Sequence, residues 1–439
     1  MVTLRAPGLL ALLAVPGLVT PFPWVWLMSA AGLLAGLVAA DLAVAGAVGD
    51  LRCARGGDRQ LRAGTTGAVR LSVTNHGVRP VNARIRDAWV PSAGARSIPP
   101  ATRPVTIHPG QSEQVVTELT PTRRGDRPAV RVTIRSYGPF GLAYRQSTAG
   151  LSRRLTPPWT LRVLPPFHSR RFLPEKLSRL RTIDGQLAVR GRGQGTEFDS
   201  LREYVVGDDV RSIDWRASAR VEHVMVKNWR PERDRRVLCV LDTGRTSAAR
   251  VGDQPRLDAA IDAALLLAAL AAHAGDRVDL LAVDTTVRAS VSTGTRRTLL
   301  PALVDALAGL EPVLFETDFG RVVAEVLALA RRRALVVLFT TLEPGALGEG
   351  LLPVLPQLLA RHRVVLASVR DPTLDGLAAG RAGLAGIYTA AAAEQTLAAS
   401  DRVGAALTRY GVRVVEATPE RFAPAVADAY LDLKAAGRL

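Results

Sequence analysis

Lysine is nearly absent. Lys176, Lys227 and Lys434 are the only lysines, so almost all of the positive charge is arginine. With abundant alanine and leucine, this reads as the drift of a GC-rich genome, and the formal net charge of +17 says less than its size suggests. The charge fits attraction to an anionic lipid membrane. It would also fit nucleic acid, but the sequence lacks a basic stripe interleaved with aromatics, so no specific nucleic acid is expected. Cysteine is equally scarce. Cys53 and Cys239 stand far apart, the second inside an apolar run, which argues against a disulfide framework or a cysteine-based metal site. A reducing compartment is compatible with this usage. A phosphate loop is missing too: Gly191-x-Gly193-x-Gly195 lacks the spacing of a dinucleotide fingerprint, and no Gly-Lys-Ser/Thr follows.

Charge is also missing from the N-terminal region, where Asp41 is the sole ionisable side chain between Ala6 and Val48. That apolar run is too long for one bilayer crossing of about 20 residues. Pro21-Phe22-Pro23 breaks it, which predicts two transmembrane helices, near Leu4–Thr20 and Trp24–Val44. Arg5 lies before the hairpin and Arg52, Arg55 and Arg59 after it, while the turn carries no charge. The positive-inside rule then places both ends in the cytoplasm: a two-pass protein of the cell membrane with cytoplasmic soluble domains. A cleaved signal peptide is the competing reading, but the apolar stretch resumes after the turn and no Ala-x-Ala site separates the halves. Asp41 is expected to reach the membrane interface rather than to act inside the span.

Residues 51–165 switch to a period of two. Residues 68–74 alternate, and Val81–Ile85, Val115–Leu119 and Val130–Ile134 read as further strands, with turn residues between them at spacings that suit a β-sandwich. His76 and His108 lie near turns and are read as solvated. The stretch carries no catalytic constellation and is expected to be a spacer or interaction module.

Residues 166–235 form an arm dense in charge and glycine. Its carboxylates Asp208, Asp209 and Asp214 could serve acid–base chemistry or a hard cation, but no histidine or activated nucleophile stands beside them. They are expected to pair with Arg202, Arg211, Arg216 and Arg220 in a bidentate network with Trp215 packed in its middle.

Residues 236–439 alternate strands and helices, which predicts a doubly wound, mostly parallel α/β sheet with its ligand site at the carboxyl ends of the strands. The expected strands are Val237–Leu241, Val278–Val283, Ala334–Phe339, Val364–Val369 and Val412–Val415. The expected helices are Leu257–His273, Arg297–Leu310, Gly320–Arg333, Leu347–Arg361, Ala391–Tyr410 and Pro419–Leu433. The fold class is therefore multidomain: a helical hairpin (1–50), a β-sandwich (51–165), the arm (166–235) and the α/β domain (236–439).

The string Gly195-x-Glu197-Phe198-x-x-Leu201-Arg202-x-Tyr204-x-x-Gly207-Asp208-Asp209-x-Arg211-x-Ile213-Asp214-Trp215-x-x-Ser218-Ala219-Arg220 resembles the signature of the DUF58 family. Pro121-x-x-Arg124-Gly125 and Pro139-Phe140-Gly141-Leu142 fit its β-domain end, with Gly138 where an aspartate is common. The resemblance implies a membrane-anchored protein with a von Willebrand factor A-like domain. It also implies a MoxR-type AAA+ ATPase as partner, since such ATPases are often encoded beside family members. In von Willebrand A domains an Asp-x-Ser-x-Ser loop holds a divalent cation. Here Asp242-Thr243-Gly244-Arg245-Thr246 resembles that loop, and Thr317 matches the later threonine. Gly244 removes one hydroxyl, and Thr341 stands where the family often has the second carboxylate. With Asp242 as the one clear carboxylate, Mg²⁺ is expected to bind weakly at best, and no cofactor is expected. Asp242 and Thr246 could instead cap the helix start or hydrogen-bond the loop, and Asp318 could compensate for the lost carboxylate.

The expected function is a non-enzymatic adaptor that docks a MoxR-type ATPase or its client. The alternatives are a basic membrane-surface or nucleic-acid binder, and an enzyme using Asp208, Asp209 and Asp214.

Overall fold

The computed structural model describes residues 1–438 except 20, 99, 191–196, 207, 231–234, 293–294 and 381–382. It divides into two compact units, Met1–Pro166 and Phe167–Leu439. The arm thus belongs to the second unit.

The first unit begins with the helix Arg5–Ala14, which tightens over Val15–Val19, and the helix Pro23–Val44. Pro23 occupies the first turn of the second helix, where its missing N–H costs nothing. Among the described residues this is the one helix long and apolar enough to cross a membrane; at 1.5 Å per residue it measures about 33 Å. The two helices meet where Trp26 donates through Nε1 to the Leu13 carbonyl at 2.7 Å and lays its ring over Gly17. A Cβ on Gly17 would stand 3.0 Å from that ring.

Both ends of this helix pair return to the β-structure. Val2 pairs with Ala143, and Tyr144 donates its N–H to the Met1 carbonyl at 2.8 Å. At the other end the expectation for Asp41 is overturned. Its side chain is fully buried and does not reach out to an interface. It accepts the N–H groups of Phe140 (2.9 Å), Leu142 (2.8 Å) and Ala143 (2.9 Å). Three convergent amides satisfy a carboxylate as well as water would, so it has no reason to snorkel.

The remainder of the unit is two facing sheets. One runs in the order Leu51–Gly57, Gly67–Asn75, Ser112–Leu119, Ala95–Ile98, all antiparallel. The other runs Gln60–Arg62, Thr160–Leu164, Gly125–Tyr137, Val81–Trp89, Val105–Ile107. The expected strands fall inside these. Alternate residues such as Val69, Leu71 and Val73 on one sheet and Ala83, Ile85, Val132 and Ile134 on the other point inward and are buried. One ion pair is buried with them: Arg55 holds Asp87, whose other oxygen accepts from Trp89 Nε1 at 3.0 Å and Thr117 Oγ1 at 3.3 Å.

The second unit is built on a six-stranded sheet. In order across the sheet its strands are Val287–Ser292, Arg277–Val283, Arg236–Asp242, Leu335–Phe339, Arg363–Val369 and Arg413–Ala417. Numbered by sequence this is 3-2-1-4-5-6, and every pairing is parallel except that of the edge strand Val287–Ser292. Leu238, Val240, Leu338 and Leu366 face one layer of helices, including Phe319–Leu329 and Leu355–Leu359. The opposite face meets Arg256–His273 and Pro419–Ala435.

Three sequence expectations need correction here. The edge strand was not expected, because VRASVS buries only Val291 and shows no apolar run. The helix expected over 347–361 is broken into Ala346–Leu351 and Leu355–Leu359, since Pro353 and Pro356 remove donors inside it. An additional helix, Pro372–Ala379, precedes Gly383–Arg409. The arm contains the helix Leu173–Arg190, and an antiparallel pair, Glu197–Glu203 with Met225–Arg230, that brackets the short helix Trp215–Val221.

Candidate functional site

The strand Arg236–Asp242 lies at the centre of the sheet and is apolar from Val237 to Leu241, so Asp242, the polar residue that ends this run, emerges at the carboxyl end with 2% exposure. Asp242 is held by four donors. The Gly244 N–H (2.8 Å) and the Thr317 hydroxyl reach Oδ1. The hydroxyls of Thr246 (3.2 Å) and Thr340 (2.6 Å) reach Oδ2. The structure therefore brings Asp242, Thr246 and Thr317 together and adds Thr340. Sequence reasoning weighs only the carboxylate missing at Thr341 and passes over its neighbour Thr340. Thr341 itself does not reach Asp242; its hydroxyl is buried without a hydrogen-bond partner.

Gly244 is a consequence of Thr317. A Cβ at 244 would stand 2.1 Å from Thr317 Oγ1, so the hydroxyl from the later loop occupies the space that a serine at 244 would need. Asp318 does not compensate for the lost carboxylate. It caps the helix Phe319–Leu329 through the Arg321 N–H at 3.0 Å. The donor set is then one carboxylate and three hydroxyls that already donate to it. This set does not fit a hard dication, which prefers six oxygens with one or two free carboxylates. It fits a closed hydrogen-bonded knot.

Next to the knot, at the end of the second strand, Asp284 is also fully buried. It accepts from Thr243 Oγ1 (3.0 Å), the Thr286 N–H (2.9 Å) and Arg288 Nε (2.5 Å). Burial alone would raise its pKa. The Arg288 guanidinium and these two donors outweigh burial and hold it down at about 2. Around the rim Arg245 bridges Glu316 (2.6 Å) and Glu343 (3.2 Å). On the same loop, just before Glu316 and Thr317, Leu314 and Phe315 stand 77% and 65% exposed.

The arm's carboxylates behave differently from expectation. Arg202 and Asp208 do form a bidentate pair, at 2.7 and 2.6 Å. Asp209 instead accepts the Arg211 N–H at 3.0 Å. Asp214 accepts the N–H groups of Ala217 (3.0 Å) and Arg216 (3.1 Å) and pairs with Lys227 at 3.2 Å. The Ala217 N–H first, then Lys227, lowers its pKa. Ser218 ties the helix back by donating to the Asp214 carbonyl and accepting the Met225 N–H, both at 2.8 Å. Tyr204 donates its N–H to the Val224 carbonyl at 2.8 Å. Arg211, Arg216 and Arg220 are exposed and make no ion pair with these carboxylates among the described residues. Trp215 is not packed among them; it is 67% exposed. The reason is local: two of the three carboxylates are consumed by turn and helix-start amides, which leaves the arginines and the indole outward. The glycines 191, 193, 195 and 207 lie outside the described residues, as does the Glu197 side chain.

In sequence, the chain is similar to proteins of no assigned role. A family model described as "Protein of unknown function DUF58" matches residues 200–414. Among curated relatives, uncharacterized proteins of Mycobacterium tuberculosis and Mycobacterium bovis are 26% identical over 183 residues, 41% of this chain and 56% of theirs. The chain thus spans about half the length of the curated relatives it matches. Among solved structures, a Salmonella alpha-2-macroglobulin mutant is matched at 18% identity and a TM-score of 0.19, over 26% of this chain and 7% of that one. The CARDB domain of a Pyrococcus furiosus protein is matched at 14% identity and 0.18, over 26% and 87%. Likeness at that level carries no argument.

Proposed function

We propose that the chain is a membrane-anchored, non-enzymatic adaptor whose α/β unit, of von Willebrand A-like type, docks a protein partner at the carboxyl ends of its strands. A MoxR-type AAA+ ATPase or its client is the partner that the family resemblance implies. The observation that carries the reading is the pair of exposed apolar side chains, Leu314 and Phe315, on the loop that also supplies Thr317 to the Asp242 knot. A large apolar pair fixed beside a rigid polar centre has the make-up of an interface anchor. The strand order 3-2-1-4-5-6 with an antiparallel edge strand supports the von Willebrand A-like architecture. The arm carboxylates are occupied by Arg202, Lys227 and backbone amides, which speaks against their use as acid or base.

For the anchor, we take Pro23–Val44 as one span and the shorter apolar helix Arg5–Val19, packed on it, as the second. Both ends of the pair lead into the same β-structure, in keeping with two crossings. The positive charge of +17 supports attraction to anionic lipid head groups on that side.

The test is affinity capture from native membranes with the detergent-solubilised full chain, wild type against a Leu314→Ser/Phe315→Ser variant. Recovery of an AAA+ ATPase with wild type and its loss with the variant is the expected result. Equal recovery would remove the docking role from this loop, and no ATPase with either would remove the proposed partner.

A further inference from the structure

A second site lies beside the knot, over the other half of the sheet. A cavity of about 430 Å³ opens at the carboxyl ends of Leu335–Phe339, Arg363–Val369 and Arg413–Ala417. The helices Arg256–His273, Pro372–Ala379 and Gly383–Arg409 contribute to its wall. Its size and its place at the strand ends are those of a small-molecule site in a doubly wound sheet.

The chemistry of its wall is unbalanced in a specific way. Two donors are left over: Arg256 Nε and the Thr341 hydroxyl are both buried without a hydrogen-bond partner among the described residues, and Thr341 is only 5% exposed. Buried polar groups are almost always paired, and leaving one unpaired costs about 1–3 kcal/mol. The acceptors nearby are already engaged. Glu343 takes Arg245, and Asp371 caps its helix through the Thr373 N–H at 2.9 Å. The remaining lining carboxylate, Glu416, is half-buried, and among the described residues its one direct partner is the Ser400 hydroxyl at 3.3 Å. Burial raises its pKa, with Arg370 and Arg256 acting the other way from a distance. Burial likewise lowers that of Arg256, against Asp371, Glu343 and Glu416. The cavity thus holds a cationic donor without an acceptor and a carboxylate without a full charge partner.

We propose that this cavity binds a small zwitterion, an α-amino acid or short peptide, with its carboxylate on Arg256 and Thr341 and its ammonium on Glu416. Arg370 also lines the cavity but is paired with Asp375, so a simple anion would be brought up to Glu416 with nothing to answer that carboxylate, and a simple cation would leave Arg256 and Thr341 unpaired. A ligand carrying both charges answers both demands. The inference does not depend on the docking role of Leu314 and Phe315.

Calorimetric titration of the detergent-solubilised full chain tests it. The probes are a panel of α-amino acids and dipeptides, with succinate and putrescine as ligands of one charge sign. Saturable binding by at least one zwitterion, and by neither control, is the expected result. The dipeptide arm separates a free amino acid from a peptide as the natural source. Arg256→Gln and Glu416→Gln should each weaken binding by roughly tenfold or more. Thr341→Val, which keeps the shape and removes the hydroxyl, serves if either variant fails to fold. No saturation by any probe, equal binding of succinate, or binding unchanged in the folded variants would overturn the proposal.

Discussion

At the scale of single residues, the most informative position is a glycine. Gly244 has an ordinary backbone conformation, so it is not required for a turn. It is required because Thr317 Oγ1 occupies the position a side chain would take. This makes the two residues a coupled pair. Gly244→Ala should destabilise the α/β unit by ~1–3 kcal/mol through overpacking. Thr317→Ala should cost a similar ~1.5–3 kcal/mol by removing a hydrogen bond to a carboxylate. In the double variant the added methyl meets no hydroxyl, so its cost should fall below the sum of the single costs by ~1 kcal/mol. Urea denaturation of the four proteins checks this. Strict additivity would mean that the loops relax apart and that Thr317 does not define the shape of the knot.

At the scale of elements, Asp41 joins a helix to a loop 99 to 102 residues away in sequence. The loop 138–143 turns with Gly141 at a positive φ, and three of its amides point at one carboxylate. A Cβ at Gly138 would stand 2.1 Å from Asp41 Oδ1. The aspartate that the family resemblance leads one to expect at 138 has no room, because a carboxylate from the helix already fills that space. Asp41→Ala should therefore leave three amides, two of them buried, without an acceptor. Hydrogen exchange should show the Phe140, Leu142 and Ala143 amides losing protection while the strand Gly67–Asn75 keeps its own. Unchanged protection in the loop would mean that water replaces the carboxylate there. Little of this could be read from sequence. Periodicity located Val81–Ile85 because it buries alternate residues, the alternation of apolar strands with helices located Val364–Val369, which is buried throughout, and the apolar central strand marked Asp242 as the residue at its end. Periodicity is silent about where a lone charge in an apolar helix finds its partners, since those lie near position 140. It is equally silent about Val287–Ser292, an edge strand with one buried side chain. In the arm, the charge pattern pointed to ion pairs, and carboxylates near turns met backbone amides first, because those donors are fixed in place and need no ordering of a long side chain.

At the scale of the whole molecule, acid should reach the second unit through one side chain in particular. Asp284 is buried at the end of the second strand, and Arg288 with the Thr286 and Thr243 donors depresses its pKa to about 2. A depressed carboxylate stabilises the fold fully above its unfolded pKa of about 4 and loses that contribution as pH falls through the folded value. The loss is therefore confined to the interval between about pH 4 and pH 2, and its size is about 2 kcal/mol for a shift of this magnitude. Asp284→Asn keeps the shape and removes the charge, so it should be less stable than wild type at neutral pH and should show a shallower decline on acidification. By pH 2 the two curves should meet. Thermal unfolding of both proteins across that range, followed by a probe in the α/β unit, measures it. Parallel curves for wild type and variant would place the acid sensitivity on other carboxylates and leave the bonds of Asp284 to Arg288 and Thr243 without a net electrostatic contribution.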